Sequence, residues 1–154
     1  SSLLSIDIGN IVSNGADATN QYRGCTALTT VPLFNLSNCT STRLMFAYCS
    51  ALTTVPLFNL SSVTNAYAMF SYCSSLTTIP LLDLSSVTDA TTMFIGVTLT
   101  TQSYSDFLIN LATLPLQSGV SFHGGNSKYN PAAAIARAYL VSNFGWTITD
   151  GGAA

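Results

Sequence analysis

The sequence predicts an α/β repeat solenoid, an array of 24-residue coils with short parallel strands, closed by a small C-terminal α/β cap. Three observations carry that expectation. Cysteine returns at a fixed distance, from Cys25 to Cys49 to Cys73, 24 residues apart each time. The segments CTALTTVPLFNLSNCTSTRLMFAY at 25–48, CSALTTVPLFNLSSVTNAYAMFSY at 49–72 and CSSLTTIPLLDLSSVTDATTMFIG at 73–96 keep the same apolar positions without insertion or deletion. After residue 96 the repeat stops and a helical pattern takes over. A fixed period in this range marks an array in which each unit buries its apolar edge only against its neighbours.

The array is assigned to residues 1–100 and the cap to 101–154. Within the array, 1–24 is a degenerate coil in which Leu4 stands where Leu28 does and Tyr22 where Phe46 does. Because that coil begins in register, and the chain starts at Ser1 rather than Met, a fragment or processed product is expected, with further coils before Ser1.

The second coil gives the expected inward set: Leu52, Val55, Leu57, Leu60, Val63, Ala66, Met69, Phe70 and Cys73. Most steps are three, which suits tight turns and 3₁₀-like pieces. The step of two from Val55 to Leu57 is strand alternation, so Thr54–Phe58 is the expected β segment, stacked in parallel with its equivalents. Pro32, Pro56 and Pro80 fall inside that segment. Proline cannot donate to a ladder, so one missing bond per coil is expected there.

The tail reads as a cap. Residues 103–114 are expected to be helical, with Ser103 and Asp106 as a capping box and Tyr104, Leu108 and Leu111 on one face. Val120 and Phe122 alternate as a short strand before the turn Gly124-Gly125-Asn126. Asn130-Pro131 reads as an N-cap and first helical residue, and Gly145 as the stop. Trp146 and Ile148 form a last strand.

Composition narrows the function classes. The 154 residues are 48% hydrophobic and 6% charged, against ~25% charged in an ordinary soluble domain. There is no Glu, and Lys128 is the single lysine. The polar surface is therefore Ser, Thr and Asn, which suits an extracellular or virion setting. A net charge of −2 gives no electrostatic reason to expect nucleic acid, and no apolar run reaches the ~20 residues of a membrane span.

The order L-x-x-V-x-L-x-x-L-x-x-V-x-x-A-x-x-M-F-x-x-C-x-x-L from Leu52 to Leu76 resembles the BspA-like leucine-rich repeats of bacterial and protist surface proteins, mycoplasma lipoproteins and phage tail proteins. Met69-Phe70 followed by Cys73 and Leu76 is its most specific part. The ending GWTITDGG at 145–152 is similar to the closure of such arrays. The resemblance implies a right-handed, leucine-rich-repeat-like array that attaches at a cell or virion surface.

The cysteines carry no chemistry on this reading. Cys25, Cys49 and Cys73 occupy one coil position, so their side chains point in parallel, which is poor disulfide geometry. Cys39 stands where Val63 and Val87 do and behaves as a small hydrophobe. Free buried thiols are expected. No zinc-type Cys spacing occurs, and no cofactor or metal is expected. Ser105, Asp106 and His123 are the ingredients of a triad without a nucleophile elbow, so no enzyme is expected. Asn35, Asn38 and Asn59 lie in glycosylation sequons that matter only in a glycosylating source.

The remaining signal is the outer surface. Thr30, Thr54 and Thr78 repeat, with Phe34, Phe58 and Leu82 alongside, whereas Arg43, Tyr67 and Thr91 share a position and differ. These six repeating residues are the expected ligand-binding ladder, since apolar patches left outside mark contacts. The expected function is a non-enzymatic attachment module, a phage tail-fibre or surface protein that binds a host-surface glycan or protein. A bacterial adhesin is the second form. The competing class is a structural spacer or decoration whose repeat face contacts other chains of the same fibre or virion. An ice-binding threonine array ranks below these, because adjacent Thr29 and Thr30 are expected to expose only one side chain.

Overall fold

The computed structural model describes residues 17–154. The assignments made for residues 1–16, including Leu4, lie outside the described residues.

Successive 24-residue units lie side by side. Parallel bridges join Asp17 to Ser41, Ser41 to Asn65 and Asn65 to Asp89. The ladder that joins the second unit to the third runs from Thr42, Leu44, Phe46 and Tyr48 N–H to the carbonyls of Asn65, Tyr67, Met69 and Ser71, at 2.8–2.9 Å, and Thr53, Thr64 and Asn65 N–H add bonds to the Thr29 and Thr40 carbonyls. The intervening N–H groups of Met45, Ala47 and Cys49 turn back to the carbonyls of Thr42, Leu44 and Phe46. Alternate residues thus donate across and within, and the segment leaves no donor from 44 to 49 unpaired.

That alternation requires left-handed backbone at two positions per unit. One column holds Asn20, Leu44, Ala68 and Thr92, with φ from 52° to 61°. The other holds Gly24, Tyr48, Tyr72 and Gly96, with φ from 58° to 75°. Leucine and tyrosine adopt this region only at a cost of order 1–3 kcal/mol, and only where surrounding structure fixes it. Here the paired ladder fixes it.

The predicted strand at Thr54–Phe58 is not one. Among the described residues, 54–58 makes no backbone hydrogen bond to another unit. Instead Phe58 N–H donates to the Pro56 carbonyl at 2.9 Å, and Leu82 N–H does the same to Pro80, an inverse γ-turn with Leu57 or Leu81 at its centre. Proline therefore sits where no ladder needs its missing N–H. The turn also resets the inward pattern: Val55, Phe58 and Leu60 are buried and Leu57 is exposed, so Leu57 leaves the expected inward set.

Inside, aromatic rings stack along the array. Tyr22, Phe46, Phe70 and Phe94 follow one another at centroid distances of 5.6, 5.7 and 5.4 Å, within 10° of parallel. Phe34 and Phe58 form a second column at 5.3 Å, itself in contact with Phe46.

The tail continues this core. Helix α1 spans Thr101–Leu111 and strand β1 spans Ser121–His123. Helix α2 spans Pro131–Phe144 and strand β2, parallel to β1, spans Thr147–Thr149. β1 takes the place of the next unit, accepting Ala90 N–H at the Ser121 carbonyl and Phe94 N–H at the His123 carbonyl. Asn130 caps α2 through Ala133 N–H, Pro131 is its first residue, and Gly145 ends it at φ 65°. α1 differs from its reading: Thr100, not Ser103, is the N-cap, and it accepts Ser103 N–H. Ser103 instead holds the Ile79 backbone, and Asp106 accepts from Gln102. Trp146 is buried, its indole N–H donating to the Gln117 carbonyl at 2.8 Å. A partly buried network of Tyr104 and Arg137, both donating to Asp150 at 2.8 and 2.9 Å, ties the last residues to both helices.

Candidate functional site: the outward threonine–leucine face

The γ-turns that bury Phe58 and Leu82 push the preceding Leu57 and Leu81 out, and Leu33 is exposed at the same position of its unit. Leu33, Leu57 and Leu81 are 66%, 59% and 49% exposed, whereas Phe34, Phe58 and Leu82 are buried in the core, Phe58 at 1%. The expectation that Phe34, Phe58 and Leu82 form an outer ladder is therefore corrected: the ladder lies one residue earlier. Thr30, Thr54 and Thr78 are exposed on the same segments. A proline precedes each of these leucines, but apolar periodicity alone reads them as core.

The face is a set of rows. Each unit adds one exposed Thr-Thr pair, a half-buried proline and an exposed leucine. Thr29 is exposed as well as Thr30. Thr53 uses its hydroxyl to bond the Thr29 carbonyl at 3.2 Å. Between rows, Leu33 and Leu57 with Asn35 and Asn59 frame a depression of about 330 Å³. Asn35 and Asn59 each accept from the backbone N–H and hydroxyl of the serine two residues on, which fixes the edge of the face. At the array's last unit Leu81 and Thr78 run into a larger groove of about 700 Å³ against α1.

The column that varies between units is different in kind. Arg43 lies over the Tyr67 ring at 5.1 Å, and Tyr48 stacks on Tyr72 at 5.0 Å. Arg23 covers Tyr48, and Gly96 lies so close to the Tyr72 ring that a Cβ would press into it. Each of these rings has a protein group against it, while Tyr48 and Tyr72 remain 45% exposed.

The thiols are free and buried. Cys49 and Cys73 each donate to a carbonyl 27 residues earlier in the chain, Tyr22 and Phe46, at 3.1 Å. Burial pushes both up to about 12 from an ordinary value of 9.0. The unfolded chain ionises these thiols near pH 9 while the folded one holds their protons to about pH 12. Stability is thus unaffected below pH 9 and falls as pH rises through that window, at about 1.4 kcal/mol per pH unit per thiol. Urea titrations at pH 8 and pH 11 check this. Substituting Cys49 and Cys73 by Ala should flatten the alkaline slope, and a slope unchanged in that variant contradicts the assignment.

Ser105, Asp106 and His123 are not assembled. Ser105 Oγ accepts Asn130 N–H, His123 Nδ1 accepts Gly125 N–H, and Asp106 pairs with Gln102. Among the described residues no group of His, Cys, Asp or Glu is placed to hold a metal ion, and no helix is long and apolar enough to cross a membrane.

Comparison with curated proteins and with solved structures gave no match. Residues 12–113, more than half of the chain, match the family described as Mycoplasma protein of unknown function, DUF285, and the chain belongs to that family.

Proposed function

We propose that the chain is a non-enzymatic attachment module, a solenoid of BspA-like leucine-rich repeats displayed on a cell or virion surface. The single observation that carries the reading is the outward face: leucines at 49–66% exposure in consecutive units, flanked by exposed threonines at the same spacing. An apolar stripe of this kind, repeated unit after unit, is what a binding surface requires and a solvated one does not. The low charge and the Ser/Thr/Asn surface support an extracellular or virion setting. The family match supports the repeat assignment. Thr30, Thr54 and Thr78 supply hydroxyls, and Leu33, Leu57 and Leu81 supply the apolar contact, for a host-surface glycan or protein.

Leu57→Ser tests this, because the side chain is exposed and its loss should leave the fold intact. Binding to host cells should fall about tenfold, the equivalent of ~1.4 kcal/mol at one interface residue, with an unchanged circular dichroism spectrum. Tyr72→Ser should leave binding unaltered. Loss with Tyr72→Ser and not with Leu57→Ser places the contact on the other surface. Dissolution of an oligomer by Leu57→Ser with binding intact favours the spacer reading.

A further inference from the structure

The outward rows do not end at the last repeat. Thr78 and Leu81 form one wall of the ~700 Å³ groove, and α1 forms the other. Gln102, Asp106 and Asn110, with the exposed Ile109, line that wall from one face of the helix, and Thr113 continues it just past the helix end. The wall is held rigidly. Thr100 N–H donates to the Thr77 carbonyl at 2.9 Å, and Ser103 Oγ accepts Ile79 N–H at 2.9 Å. The Gln102 amide donates to Asp106 Oδ1 at 2.7 Å, which orients the carboxylate and leaves its second oxygen as an acceptor.

The composition of this groove selects its ligand. No cation lines it, and Asp106 is its one charged residue, so an anionic ligand finds repulsion and no counter-charge. Two amides, a carboxylate and hydroxyls converge over aliphatic Leu81 and Ile109. That pairing fits a ring with apolar C–H faces and a rim of hydroxyls that both donate and accept. Resting on the attachment reading above, we propose that this groove is a subsite for a neutral saccharide. The chain of sugars lies along the threonine–leucine rows and places a unit between Leu81 and α1, where Asp106 and Asn110 bind its hydroxyls.

The test titrates the isotope-labelled full chain with neutral hexasaccharides of glucose, mannose, galactose and N-acetylglucosamine, following backbone amides by NMR. A heparin-derived hexasaccharide is the acidic control. At least one neutral oligomer should shift the amides of 78–81 and 102–113, and the double variant Asp106→Ala, Asn110→Ala should weaken it at least about tenfold. Both positions carry exposed or half-buried polar side chains, and circular dichroism verifies the variant's fold. The subsite is overturned if no neutral oligomer moves these amides, if only the acidic one does, or if the double variant binds as well as the parent. A groove without response beside a Leu57→Ser variant that loses cell binding removes the subsite and keeps the attachment face. A Leu57→Ser variant that keeps cell binding removes the attachment reading itself.

Discussion

Truncation after Gly96 is expected to abolish cooperative folding and leave an aggregating chain. It removes the Ser121 and His123 carbonyls that accept Ala90 and Phe94 N–H. It also strips Phe107 and Phe122, each 6.1 Å from the Phe94 ring, from the end of the aromatic column. Tyr104, Leu108, Leu111 and Trp146, all buried, go with them. Burying one large apolar side chain contributes about 1.5–3 kcal/mol, and a domain's whole stability is about 5–15 kcal/mol. Losing six such groups while exposing the apolar end of the array exceeds that margin. Thermal melting by circular dichroism and size-exclusion chromatography check this. A monomeric truncated chain with an unchanged melting temperature would show that the tail is no cap.

The second large effect separates two neighbouring residues. Phe58→Ser should destabilise by roughly 3–5 kcal/mol or more, the range for truncating a buried phenylalanine, with a hydroxyl added to an apolar site. The ring is 1% exposed and stacks against Phe34 and Phe46 at 5.3 and 5.9 Å. Leu57→Ser, one residue earlier, should change stability by less than about 0.5 kcal/mol. Urea denaturation of both variants decides it. Equal destabilisation, or the reverse order, would mean that the turn after Pro56 is placed wrongly.

That pair marks where the sequence stops being legible. The period of 24, most inward positions and the caps of α2 can be read because each rests on a local rule: spacing, apolar recurrence, Asn-Pro and Gly punctuation. Leu57 and Phe58 are adjacent and both apolar, so periodicity cannot choose between them. The choice belongs to the γ-turn after Pro56. Nor does residue type announce that the inter-unit ladder runs through Asn65–Tyr72 rather than Thr54–Phe58. β-propensity favours the latter, and the former depends on left-handed Ala68 and Tyr72. A signal was present, though faint: Gly24 and Gly96 bracket the Tyr48–Tyr72 column, and Asn20 heads the other. Glycine and asparagine are the residues that accept positive φ readily.

The candidate site divides along the same line. Thr30, Thr54 and Thr78 are legible because a hydroxyl repeated beside a proline has little reason to be buried. Leu33, Leu57 and Leu81 are not, since a repeated leucine in an apolar frame reads as core. The groove against α1 is beyond sequence reading altogether. It joins Leu81 to Asp106 and Ile109 across two different parts of the chain.

The most direct test of the attachment face places a photo-crosslinking side chain at position 57 or, separately, at position 72, and illuminates the protein bound to intact cells. The account predicts a covalent adduct between position 57 and a host-surface component, with none from position 72. An adduct from position 72, or one from position 57 only to a second copy of this chain, would contradict it.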